Sequence, residues 1–200
     1  ALVKLNNRGV RSATTFGSIS ALGEMRFISK QTASSSATIS FTSGIDSTYK
    51  EYLFTFNNIH PETDNVDFTF QGNAAGGSGY NETMTTTVFR ALHDEADSAA
   101  TMNYDSGRDQ AQGTAFQILA HEIGNDNDSC VGGYLHLFNP SSTTFVKHFI
   151  STVNLYAASN MSENKFTAGY FNTTSAIDEI QFKMSSGDID AGDICLYGIN

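Results

Sequence analysis

Short runs in which apolar and polar residues alternate at period two, cut apart by glycine, asparagine and serine, constrain this chain more than any other feature. Ala37-Thr38-Ile39-Ser40-Phe41 and Val66-Asp67-Phe68-Thr69-Phe70 alternate without a break, and Tyr52, Phe54 and Phe56 share one face of a run with Leu53 opposite. Side chains along a strand point to alternate faces, so such runs bury one face and wet the other. Runs of strand type occupy 25–28, 37–41, 49–59, 66–70, 83–92, 114–123, 134–138, 145–153, 165–171, 177–184 and 193–199. Turn residues separate them, among them Ser43-Gly44, Ala75-Gly76-Gly77-Ser78-Gly79, Gly124-Asn125 and Ser186-Gly187. Glycine and asparagine suit these places because they tolerate positive φ. Pro61 and Pro140 fall between runs, where no ladder hydrogen bond is lost. The pattern predicts an all-β protein, an antiparallel β-sandwich of jelly-roll-like form.

Two stretches do not read as strand. Residues 1–22 predict an extended N-terminal arm, leaving 23–200 as a single sandwich domain. Residues 93–113 are polar and acidic and predict a long excursion from the sandwich, with a short helix near 94–100. No tandem repeat and no linker divides the 200 residues.

Charge is distributed unevenly. Residues 1–30 carry Lys4, Arg8, Arg11, Arg26 and Lys30 against Glu24, a net +4, and the other 170 residues carry 6 bases and 20 acids, a net −14. An acidic body repels phosphates, which excludes nucleic acid as the main partner. The basic arm suits an acidic protein surface, so Lys4, Arg8, Arg11 and Phe16 are its candidate assembly contacts. Cys130 and Cys195 match no zinc spacing and are read as two thiols or one disulfide. No apolar run reaches the ~18 residues of a membrane span. The opening Ala-Leu-Val-Lys-Leu-Asn-Asn-Arg-Gly lacks the apolar segment of a signal peptide. The expectation is therefore a product made in a cytoplasm.

The search for chemistry finds little. Ser78 lies in a glycine-rich turn without the context of an activated nucleophile. His121-Glu122 opens like a zinc-protease motif, but Asn125 stands where the second histidine is required. His136 and His148 sit within strand patterns and read as partly buried structural residues. The carboxylates of Asp126, Asp128, Asp188, Asp190 and Asp193 fall in turns, which gives no glycosidase pair. Asp126-Asn127-Asp128 and Asp188-Ile189-Asp190 do offer the hard oxygen donors that a structural calcium takes, although neither forms an EF-hand loop. No cofactor is expected. Loops rich in Tyr, Asn, Ser and Gly suit adaptable contact, and Tyr80, Asn81, Tyr104, Asn125 and Asn127 are the candidate exposed binding residues. The expectation is a protein that works by binding or by building an assembly, and not an enzyme.

Both ends of the chain resemble a known family. The opening Ala1-Leu-Val-Lys-Leu-Asn-Asn-Arg-Gly-Val-Arg-Ser-Ala-Thr-Thr-Phe-Gly-Ser is similar to a recurrent opening in structural proteins of marine tailed-phage virions. Ala176-Ile-Asp-Glu-Ile-Gln-Phe-Lys-Met-Ser-Ser-Gly and the closing Leu196-Tyr-Gly-Ile strand resemble the end of particle and tail-associated modules in that family, and Ile45 to Tyr52 fits as well. Residues 93–130 are the least similar part, and Cys195 departs from the polar residue expected in the closing strand. The resemblance implies a virion protein made in the host cytoplasm and anchored by its arm. Its partners would be other copies of itself, as a trimer, and other virion proteins, with loops facing a host glycan or protein. It brings no catalytic residue. The alternatives are a carbohydrate-binding module, an enzyme acting on surface polysaccharide, and a filament subunit that donates its N-terminal strand to a neighbour.

Overall fold

A computed structural model describes residues 25–200. Lys4, Arg8, Arg11, Phe16 and the expected arm over 1–22 lie outside the described residues. Twelve strands follow in order: β1 (Met25–Ser36), β2 (Ile39–Phe41), β3 (Glu51–Pro61), β4 (Val66–Ala74), β5 (Met84–Asp94), β6 (Ala100–Tyr104), β7 (Gln117–Ile123), β8 (Val131–Phe138), β9 (Lys147–Ala157), β10 (Met161–Phe171), β11 (Ile177–Met184) and β12 (Ile189–Ile199). Every pairing is antiparallel. The all-β, antiparallel expectation is therefore met.

The arrangement of layers differs from a cleanly divided sandwich. One hydrogen-bonded path runs β1-β12-β3-β8-β9-β7-β4-β11-β2, a nearly closed, barrel-like sheet of nine strands. The join between β9 and β7 is a single bridge, Ile123 to Ala157. From β9 the sheet also extends sideways through β10 to β5 and then β6. Where a helix near 94–100 was expected, β5 ends at Asp94 and a turn leads into β6 at Ala100. Asp94 accepts hydrogen bonds from the amides of Ser98 (2.8 Å) and Ala99 (2.9 Å), so the chain turns back as a hairpin instead.

The core is aromatic. Phe54, Phe56, Phe68, Phe70 and Phe182 are buried, and they meet edge-on or stacked at 5.2–6.4 Å between ring centres. These are the rings that period-two alternation places on one face of β3, β4 and β11. Offset and edge-to-face contacts suit the ring quadrupole, which makes a phenylalanine cluster more specific than an aliphatic one. Gly133 has φ 153° and leaves room between β8 and β9; a Cβ there would lie 2.3 Å from the Thr152 carbonyl oxygen. The hairpin of β8 and β9 can close only over a residue without a side chain. Cys130 and Cys195 are both free thiols.

Candidate binding surfaces and a buried ionic cluster

The β5–β10 extension is organised differently from the rest of the molecule. Along β10, Glu163, Lys165 and Thr167 are buried, while Asn164, Phe166, Ala168 and Tyr170 point outward. Charge faces in and rings face out.

The inward charges compensate one another. Lys165 Nζ lies 3.0 Å from Asp105 Oδ2, Arg90 Nη1 lies 2.9 Å from Glu163 Oε2, and Glu163 Oε1 lies 3.0 Å from His121 Nδ1. His121 Nε2 is 2.7 Å from Arg90 Nη1. Nδ1 is also 2.9 Å from Lys165 Nζ, so each ring nitrogen faces a cation that only donates; with Nε2 accepting from Arg90, Nδ1 carries its proton on the side of Glu163 Oε1 and Lys165 must direct its own protons elsewhere. Lys165 then donates to Asp105. Two cations face two carboxylates, which is the condition for burying them at all. Burial alone would raise the Glu163 carboxyl, but the His121 hydrogen bond and the Lys165 and Arg90 charges outweigh it and hold the group below its ordinary range. Burial likewise favours protonation of Asp105, and the Lys165 contact reverses it. Burial pushes the Lys165 ammonium down, against the pull of Asp105 and Glu163. The segment after β6 closes the cluster from below. Thr86 Oγ1 donates to Gln117 Oε1 (2.8 Å), Gln117 Nε2 donates to the Arg108 carbonyl (2.9 Å), and the Gln110 amide donates to Thr86 Oγ1 (2.8 Å). The side chains of Lys165, Glu163 and His121 are 0%, 2% and 3% exposed, so no substrate reaches them in this conformation. His121-Glu122 is thus part of a structural ion network, with Glu122 out in solvent.

The outward face has the opposite chemistry. Strand registers align Tyr134, Thr152, Phe166, Phe89 and Tyr104 in one row across β8, β9, β10, β5 and β6. A neighbouring row aligns His136, Ile150, Ala168 and Thr87, and continues through Leu53 and Tyr197 to Phe27 on β1. Phe89 and Phe166 stack at 4.6 Å between ring centres, and Phe27 meets Tyr197 edge-on at 5.7 Å. Phe89, Tyr104, Tyr134 and Ile150 are 41–52% exposed. Among the outward positions of β5, β8, β9, β10 and β6 there is no Lys, Arg, Asp or Glu between residues 85–91, 100–104, 132–138, 148–156 and 162–170. Small Ala168 between Phe166 and Tyr170 leaves a shallow groove of about 380 Å³, flanked by Thr85, His148 and Ile150.

A second groove, of about 340 Å³, lies at one end of the molecule and is polar: Asn58, His60, Asn127, Asp128, Cys130 and Asp190 line it. His60 Nδ1 is 3.7 Å from Asp190, and its Nε2 is 3.1 Å from the Asp126 carbonyl. The two Asp-rich turns therefore meet here. Among the described residues, no three His, Cys, Asp or Glu side chains converge as a metal-binding group. Nor is any helix among them long and apolar enough to cross a membrane.

The five expected loop residues do not form one site. Asn127 lines the polar groove, and Asn125 stands nearby, held by the Glu62 carbonyl (3.1 Å) and Asp64 (3.2 Å). Asn81 is exposed elsewhere, beside Tyr80, whose hydroxyl donates to Glu179 (3.1 Å). Tyr104 belongs to β6, on the aromatic face. Sequence reasoning missed Phe89, Tyr134, Ile150 and Phe166 because they read as ordinary strand interior. The available signal was the inward partner set: Arg90, Glu163 and Lys165 occupy the intervening positions of the same strands, which forces the rings outward if the charges pair inside. No family model, no curated protein and no solved structure matches this chain.

Proposed function

We propose that the chain is a non-enzymatic structural protein of a bacteriophage particle, part of a tail fibre or appendage or a capsid decoration. The observation that carries the reading is the uncharged aromatic face, set on a chain of net charge −10. An uncharged surface that exposes several large rings marks a site of macromolecular contact. The resemblance of the two ends of the chain supplies the setting: synthesis in the host cytoplasm, residues 1–22 as anchor through Lys4, Arg8, Arg11 and Phe16, and other copies and other virion proteins as partners, with a trimer by family likeness. In this reading the single bridge between β7 and β9 lets the two halves of the sheet stack as a jelly-roll-like sandwich. The test is reconstitution on purified particles that lack the protein. The full chain is expected to sediment with them, and the chain without residues 1–22 to stay folded in the supernatant. A full chain that never sediments with particles contradicts the proposal.

A second reading, a carbohydrate-binding module, is favoured by the polar groove around Asn58, Asn127 and Asp190, whose amides and carboxylates suit hydroxyl groups. Glycan binding abolished by Asn127→Ala would support it.

A further inference from the structure

We infer that the uncharged face of β8, β9, β10, β5 and β6 packs against the same face of a second copy of this chain, about a two-fold axis. The inference rests on the assembly reading and names the partner of that surface.

Charge selects a second copy. Two bodies of net charge −10 repel, and they approach at least cost where no charge is brought close or desolvated. The 20 acids of residues 31–200 leave the outward positions of these strands vacant. A basic partner would gain nothing from this face and would be drawn to carboxylates elsewhere.

Area is sufficient. The five strands β8, β9, β10, β5 and β6 lie side by side at about 4.8 Å spacing, and three rows about 7 Å apart give a face of about 500 Å². Two copies then bury about 1,000 Å² in total, the lower limit for a specific interface.

Shape is self-complementary. A two-fold contact presents one patch to itself, so every protrusion needs a depression on the same patch. The half-exposed Phe89 and Tyr104 rings are the protrusions, and the groove over Ala168 is the depression. The neighbours of that groove, Thr85, Ile150 and Tyr170, offer methyl groups and a ring to an entering side chain. The Lys30–Asp193 pair, 3.1 Å apart on β1 and β12, lies beyond β3 and outside the face.

Light scattering on the purified full chain over a concentration series tests this, with Phe89→Lys, Ile150→Lys and, at an exposed position off the face in the β11–β12 turn, Ser186→Lys. The expected mass is an even multiple of 21.6 kDa, two copies or two trimers, halved by either face substitution and unchanged by Ser186→Lys. Near-UV circular dichroism checks that each variant keeps its fold, and two face variants guard against one failing to fold. A multimer that survives both face substitutions overturns the inference but leaves the assembly reading standing. A full chain that is monomeric at every concentration overturns both.

Discussion

The β3–β4–β11 region and the β5–β10 region use the same period-two alternation to opposite ends. In the first, Phe54, Phe56, Phe68 and Phe182 point inward and are sealed, with Thr55, Asp67 and Lys183 outside. In the second, Glu163 and Lys165 are sealed, with Phe166 and Phe89 outside. Alternation states that a strand has two unlike faces; it does not state which one is buried. Hydrophobicity decides where one face is apolar and the other polar. Where one face holds rings and the other holds charges of both signs, pairing geometry decides. Arg90, Asp105, His121, Glu163 and Lys165 come from four separate segments, and burial becomes affordable only once all are in place.

The comparison breaks most readily at the core of either region. Phe182→Ala, in the ring cluster, is expected to lower unfolding free energy by about 3–5 kcal/mol in a urea titration. Glu163→Gln removes the charge partner of the partly exposed Arg90 and the buried Lys165 and is expected to cost about 3 kcal/mol, the lower end for a broken buried pair, because Arg90 reaches water and Asp105 still faces Lys165. A Glu163→Gln variant as stable as the wild type would mean that the network contributes no net stability. Acid separates the regions further. Glu163 and Asp105 are held below their ordinary range in the folded state, so their contribution is full above the unfolded carboxylate range. It is lost as pH falls through their folded values. The wild type should therefore lose stability more steeply below about pH 4 than Glu163→Gln, measured by thermal unfolding along a pH series. Phe89→Ser carries the smallest expected effect on the stability of a single chain, about 1 kcal/mol, because the ring is half-exposed there and loses mainly its stack on Phe166. A loss as large as that of Phe182→Ala would show that the outer rings belong to the core.

Much of the aromatic region was legible from sequence. Runs such as Val66–Phe70 and Tyr52–Phe56 name their buried face directly, and β2, β3, β4 and β11 lie where the runs place them. β6 was not legible: Ala100-Thr-Met-Asn-Tyr lacks a clean period, and its pairing depends on the Asp94 turn and on Phe89 aligning with Tyr104. The two-layer sandwich was expected from strand number and spacing. Those quantities do not say that Ile123 would bridge to Ala157 and nearly close the sheet. Of the expected binding residues, Tyr104 lies on the outer face and Asn127 in the polar groove. Both were chosen for residue type in a loop, and only strand register relates them to a surface.

The central claim is that rings face outward on β5 and β10 because another copy covers them. The concentration dependence of the thermal midpoint tests it most directly, since an assembly that forms only from folded chains gains stability with concentration. The account predicts a midpoint that rises with concentration for the full chain and stays level for Phe89→Lys. A level midpoint for the wild type, or an equal rise for both, would contradict it.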